Sequence, residues 1–214
     1  QETVFNSITS AIFVSFEDAV NQIGTEIDQS CIDRELDLVV LVDESGSVSA
    51  YNFEIVKDFI LHLTRCLIFH EERARVAVIT FASDVNVDFD LNDYRQRNFT
   101  EVISNLTYSS GGTNTHMGLN TAHQIFQNSL DKERAKTKRV LLTITDGMSS
   151  NRRGTLEAAE RIKNDDLNIQ SIAIGVGGYN ELELQGIASS PEHIHRLAGF
   201  EDFAEIKSMI MNTA

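Results

Sequence analysis

Leu36-Asp37-Leu38-Val39-Val40-Leu41-Val42-Asp43-Glu44-Ser45-Gly46-Ser47 is the most informative stretch of this chain. From Leu36 to Val42 every position but Asp37 is apolar, and Val and Leu dominate. The run stops abruptly at Asp43. A segment apolar on both faces, closed by a polar loop, predicts a buried parallel strand rather than one with a wet face. Beyond it, Phe53, Val56, Ile60, Leu63 and Leu67 form the apolar stripe of an amphipathic helix. Arg75 to Phe81 reads as a second buried strand. Val85 to Phe89 alternates apolar and polar residues, which predicts a short antiparallel edge strand.

The alternation continues to the end of the chain. Tyr94 to Leu106 is predicted helical, with Phe99, Val102, Ile103 and Leu106 inward. The loop Ser109-Ser110-Gly111-Gly112-Thr113-Asn114-Thr115 precedes a helix over about 116–129. Arg139 to Thr145 is a buried strand that ends at Asp146-Gly147. A helix at Thr155–Asn164, a strand at Ile169–Ile174 and the loop Gly175-Val176-Gly177-Gly178 follow. A short helix near 180–188, a weak strand at His193–Leu197 and a closing helix at Phe200–Met211 complete the pattern. Strands alternating with helices predict an α/β fold: a doubly wound, mostly parallel sheet with one short antiparallel edge strand and helices on both faces. Ahead of it, Phe13, Phe16, Val20, Ile23 and Ile27 share one helical face. They divide the chain into a helical extension, 1–32, and one α/β domain, 33–214. That helix either docks on the domain or contacts a neighbouring module or chain, with self-association as one outcome.

Composition narrows the function. With 214 residues and 42% hydrophobic side chains, the chain can bury one α/β core. Eighteen Lys and Arg against 32 Asp and Glu give a net charge of −14, which argues against nucleic acid or an anionic membrane surface as partner. No apolar run approaches the roughly 20 residues of a membrane span. Ala11 to Val14 is too short for a signal-peptide core, so any targeting peptide is expected to be already removed or never present. The two cysteines, Cys31 and Cys66, fit either one disulfide in a secreted protein or two buried thiols. Asn98-Phe99-Thr100 and Asn105-Leu106-Thr107 are N-glycosylation triplets. With 15 Asn and 33 Ser or Thr in the chain, chance supplies about two such triplets, so their presence alone says little.

Ligands of doubly wound folds bind at the carboxyl ends of the strands. There the chain places Asp43, Ser45 and Ser47 after the first strand, Thr113 after a Gly-Gly pair, and Asp146 after the strand near 139–145. Two carboxylates and three hydroxyls make an all-oxygen donor set. Such a set suits Mg²⁺, Mn²⁺ or Ca²⁺ rather than zinc. Five side chains leave at least one octahedral position open, and two aspartates balance the ion's charge. The open position can then take a carboxylate from outside.

Asp43-x-Ser45-x-Ser47, Thr113 in Gly-Gly-Thr-Asn-Thr, and Thr145-Asp146-Gly147 resemble the metal-ion-dependent adhesion site of von Willebrand factor A domains, in order and spacing, over about residues 36–212. The resemblance implies a Rossmann-like fold and an extracellular adhesion or matrix protein. Ser45, Ser47 and Thr113 would bind Mg²⁺ through their hydroxyls, and Asp43 and Asp146 directly or through water. A Glu or Asp of a protein ligand (a matrix protein such as collagen, or a receptor) would complete the coordination. The resemblance also places Cys31 and Cys66 together at the bottom of the sheet, as a structural disulfide. No extra helix of the collagen-binding integrin kind is evident between Asp146 and Leu156, so that mode of collagen binding is not expected.

Other chemistries are poorly supported. No Gly-x-Gly-x-x-Gly or Gly-Lys-Ser/Thr follows the first strand, and no Gly-x-Ser-x-Gly elbow is present. An Asp-x-Asp phosphatase would need an aspartate where Ser45 stands. His116, His123, His193 and His195 read as surface or packing residues. The expectation is therefore no enzyme but a metal-dependent binding domain. The alternative is a matrix-assembly domain in which the metal mainly stiffens the loops.

Overall fold

A computed structural model describes residues 35–65, 74–129, 134 and 136–204. The expected N-terminal helix, both cysteines, Leu67 and the part of the closing helix beyond Ala204 lie outside the described residues. In chain order the elements are β1 (Leu36–Asp43), α1 (Ser49–Leu63), β2 (Ala74–Phe81), β3 (Val85–Phe89), α2 (Phe99–Ser104), α3 (Thr115–Asn128), β4 (Lys138–Thr145), α4 (Arg152–Lys163), β5 (Ile169–Val176), α5 (Glu181–Ile187) and β6 (Ile194–Leu197). The six strands form one sheet in the order β3-β2-β1-β4-β5-β6, with every pair parallel except β2–β3. This is the predicted doubly wound sheet with its antiparallel edge strand.

β1 lies at the centre, and all eight of its residues are buried. Its side chains alternate between two cores. Leu38, Val40 and Val42 pack with Phe53, Val56 and Ile60 of α1, Ile103 of α2, and Phe203. Val39 and Leu41 face Leu119, Ala122 and Phe126 of α3, together with Ala158 and Ile162 of α4 and Leu184 of α5. Burial on both sides is why the strand reads as an unbroken apolar run. α3 approaches the sheet closely at Gly118, where a Cβ would stand 2.7 Å from Leu41 Cδ1. That approach offsets the cost of glycine inside a helix.

The helix expected over 94–106 is shorter. Asp93–Arg95 form one 3-10 turn, and α2 begins only at Phe99. Asn98 is extended and its side chain accepts a hydrogen bond from Glu101 N (3.1 Å), so a new helix starts there. The strand expected over 169–174 instead runs on to Val176, which shortens the glycine loop.

Asp37 and His195 are the notable buried ionisable residues away from the loops. Arg75 donates from Nε and Nη2 to Asp37 Oδ1 (2.8 Å) and Oδ2 (2.7 Å), and Arg134 Nη2 donates to Oδ1 (2.8 Å). His195, on β6, is only 4% exposed, and its Nε2 has no hydrogen-bond partner. Burial, aided by His193 and Arg196, pulls its pKa from 6.5 down to about 4. The unfolded chain therefore takes up a proton in that window and the folded chain does not. His195 accordingly costs nothing above about pH 6.5 and destabilises progressively as pH falls toward 4, by about 3 kcal/mol at full effect. Asp88, whose pKa burial raises to about 6, contributes the opposite slope. Urea titrations of the parent and His195→Leu at pH 7 and 4.5 isolate the histidine: the variant should lose less stability on acidification. Equal losses would show that His195 does not titrate in this way.

Candidate metal centre

β1 and β4 are adjacent at the middle of the sheet, and their carboxyl ends open into the loops that carry Asp43–Ser47 and Asp146–Asn151. α1 and α3 leave this end on opposite faces, which makes it the crevice of a doubly wound sheet.

Four of the five expected residues meet through hydrogen bonds. Asp43 is 2% exposed, and its Oδ1 accepts from Ser45 N (2.9 Å). Its Oδ2 accepts from Thr145 Oγ1 (2.7 Å). The Ser45 and Ser47 hydroxyls are 3.2 Å apart, and Ser47 Oγ donates to Asp146 Oδ1 (2.7 Å). Oxygen atoms from two loops are thus gathered within hydrogen-bond distance of one another.

Thr113 reaches this end through its backbone. Its N–H donates to Ser150 Oγ (3.0 Å), and its carbonyl accepts from Ser150 N (2.8 Å), which ties it to the Asp146 loop. On the other side, Gly46 N donates to Gly111 O (3.0 Å), Ser109 N to Glu44 Oε2 (3.1 Å) and Tyr108 OH to Ser45 O (2.9 Å). The β2–β3 turn supplies a further hold, with Gly112 N donating to Ser83 Oγ (2.9 Å). Gly111 has φ +123, and a Cβ there would lie 2.7 Å from Ser83 Oγ, so only glycine suits the position.

Sequence reasoning missed the residues that do this holding. Glu44 is buried between two candidate ligands, and Thr145, Tyr108, Ser150 and Ser83 aim or tie the loops. Glu44 and Thr145 stood inside the quoted motifs. Tyr108 and Ser150 gave no signal, because their partners are distant in sequence.

Electrostatics favour a cation. Burial pushes the Asp43 carboxyl up to about 6, despite the hydrogen bonds from Ser45 and Thr145. Burial also raises Asp146. Each carboxylate is therefore short of compensating positive charge, which a bound cation supplies. The donors are oxygen only. Among the described residues no cluster of three or more His, Cys, Asp and Glu side chains exists. His123 instead pairs with Asp165 (2.6 Å), and His193 bonds Gln170 and Ser190. Asn98 and Asn105 are both exposed.

Among the described residues no helix is long and apolar enough to cross a membrane. The chain is 30% identical over 199 residues to the human (Homo sapiens) collagen alpha-5(VI) chain, covering 89% of this chain and 8% of that one. It is 32% identical over 174 residues to chicken (Gallus gallus) matrilin-1, covering 80% of this chain and 34% of that one. It thus spans a minor part of the curated relatives it matches. These relatives are secreted matrix proteins, and this chain is extracellular in the same way. Among solved structures, proximal thread matrix protein 1 of the mussel byssus superposes with a TM-score of 0.69 at 23% identity, covering 86% of this chain and 47% of that one. Residues 37–210 match the von Willebrand factor type A domain, and the chain belongs to that family.

Proposed function

We propose that this is a noncatalytic matrix-binding domain that holds a protein ligand through a divalent cation, Mg²⁺ by preference. Asp43, Ser45, Ser47, Thr113 and Asp146 would hold the ion. The observation that carries the reading is the convergence of Asp43, Ser45, Ser47 and Asp146 in one hydrogen-bonded oxygen cluster at the carboxyl ends of the central strands. When bound, the cation supplies a Lewis-acidic position that takes one carboxylate oxygen of a partner's Glu or Asp. The chain's own residues do the rest. Thr145 orients Asp43, while Glu44 and Tyr108 fix the Thr113 loop against the first loop.

Two further observations support a protein ligand at this end. Among the described residues five large hydrophobic side chains are exposed. Four of them (Tyr51, 78%; Met148, 65%; Leu182; Met117) lie in the 146–151 loop or in the first turns of α1, α3 and α5, at the same end as the cluster. Singly such residues need no explanation, but four at one end suit an interface. Arg152, exposed at the start of α4, adds positive charge there on an otherwise acidic chain, while its neighbour Arg153 is paired with Glu157 (2.8 Å).

The alternative, in which the metal mainly stiffens the loops, is less favoured. The chain already ties these loops to one another through Gly46–Gly111, Glu44–Ser109, Tyr108–Ser45 and Thr113–Ser150. The mussel byssus protein has also been solved with a zinc-occupied metal-ion-dependent adhesion site, at a TM-score of 0.65. Zinc therefore belongs in the test beside Mg²⁺, Mn²⁺ and Ca²⁺. We further propose 33–214 as the domain and 1–32 as a helical extension, with a Cys31–Cys66 disulfide clipping the two. Mass spectrometry of the unreduced chain, and sedimentation with and without 1–32, test those assignments.

The deciding experiment is a pull-down from matrix extract in each metal, repeated with EDTA. Capture in Mg²⁺ and its loss in chelator is the expected result. Capture unaffected by EDTA removes the metal bridge from the mechanism.

A further inference from the structure

We propose that Asn105 carries an N-linked oligosaccharide that covers the groove between β3 and α2. This goes beyond the metal reading and does not rest on it.

The triplet Asn105-Leu106-Thr107 counts for little by chance arithmetic, because a chain this rich in Asn, Ser and Thr contains such triplets anyway. That arithmetic bears on why the triplet exists, not on what happens to it. A sequence of this form in a chain that passes through a eukaryotic secretory pathway is a substrate wherever it came from. The extracellular location of the chain supplies that passage. The structure adds what the folded molecule must allow. Asn105 and Thr107 are both exposed. Asn105 closes α2 through its backbone, with its N–H donating to Glu101 O and Val102 O, so helix termination does not use the side-chain amide. Asn98 differs: its side-chain oxygen is the N-cap of the same helix.

The surface beside Asn105 has its own need for cover. Asn105 and Leu106 line an open groove together with Val87, Asp88, Arg97 and Val102. Val87 is 45% exposed on β3, an edge strand whose outer backbone groups face away from the sheet. Such an edge invites pairing with another chain, and proteins commonly blunt it by covering it. A bulky, well-hydrated saccharide rooted at Asn105 meets that need.

The chemistry is a substitution at the anomeric carbon of an oligosaccharide carried on a lipid pyrophosphate. The Asn105 Nδ2–C1 bond forms and the C1–O bond to the pyrophosphate breaks. The amide gives up one proton, and the lipid pyrophosphate leaves with the electron pair.

The test uses the full chain secreted from eukaryotic cells. Digestion with a peptide N-glycosidase in ¹⁸O water, followed by peptide mapping, should convert Asn105 to ¹⁸O-labelled Asp. Unlabelled Asn105, or label confined to Asn98, overturns the assignment. Hydroxyl-radical footprinting of Asn105→Gln and Thr107→Ala then tests the covering. Both variants lose the sugar through different atoms, and both should show more oxidation at Val87 and Leu106 than the parent. Unchanged oxidation in both overturns the placement over the groove.

Discussion

Asp37→Asn should lower the stability of the domain by about 3–5 kcal/mol, read as a large drop in the urea midpoint. Asp37 is fully buried near the start of β1, where register places it beside Arg75 on β2 and Arg139 on β4. Its carboxylate receives both Arg75 bonds and one from Arg134, and Arg139 in turn donates to Arg134 O (3.3 Å). One anion thus organises a cationic corner under the sheet. Asparagine keeps the shape, loses the charge, and turns an N–H₂ toward a guanidinium. Typical domains hold only about 5–15 kcal/mol, so the loss is a large fraction of the whole. Six residues of strand, about 20 Å, separate Asp37 from Asp43, so Mg²⁺ affinity of the folded variant should equal that of the parent. A midpoint within the error of the parent's would mean that the corner is solvated and the pair unimportant. Replacing Asp37, Arg75 and Arg134 together by apolar residues should recover much of the loss, because the penalty lies in stranding charge rather than in lacking an ion pair.

The same residue shows where the sequence was and was not legible. β1, β2, β4 and β5 are readable because both faces of each are buried, so composition alone marks them. Asp37 appeared only as an interruption of the first run. Its meaning depends on Arg75 and Arg134, which are 38 and 97 positions away and lie outside any local pattern. Lys57 is a second case. It sits buried on α1 and donates to Ser104 O and Leu106 O, which anchors the end of α2. The over-long helix at 94–106 is a different kind of error. The apolar spacing there is continuous across a break that only the capping pair Asn98 and Glu101 reveals. Capping chemistry outweighed periodicity, and Asn-x-x-Glu was visible in the sequence. At the candidate site Asp43, Ser45, Ser47 and Asp146 followed from residue type and position after strand ends, and Thr113 from the Gly-Gly loop and the family resemblance. What aims them did not, because Thr145–Asp43, Glu44–Ser109 and Tyr108–Ser45 join separate elements.

Loss of one aspartate at that site should weaken Mg²⁺ binding by about 100-fold or more, and with it capture of the partner. The expectation follows from charge. The cluster holds two carboxylates, Asp43 and Asp146, and the remaining donors are neutral hydroxyls. Asp43→Asn or Asp146→Asn therefore leaves a divalent cation with one compensating carboxylate instead of two at a site where only Asp43 and Ser45 are buried, and a lost negative charge costs more than a lost neutral donor. Ser47→Ala removes one neutral donor and should cost less than either. Thr145→Val is the sharper probe. Its hydroxyl donates to Asp43 Oδ2 at 2.7 Å, accepts from Gly147 N at 3.5 Å and is not itself among the proposed ligands, so it acts by orienting the carboxylate and the loop beside it. Partners of that kind are typically worth 10–100-fold in affinity, so about that loss is expected. Titration calorimetry with Mg²⁺, or paramagnetic resonance with Mn²⁺, measures all four variants, and urea midpoints show that each is folded. The predicted order of damage is either aspartate first, then Thr145, then Ser47. If the aspartate variants bind Mg²⁺ as the parent does while remaining folded, the oxygen cluster is a hydrogen-bonded loop junction and the ion, if any, is held elsewhere. If Thr145→Val alone matches the parent, the cluster binds metal but Asp43 is positioned by Ser45 N and the strand end instead.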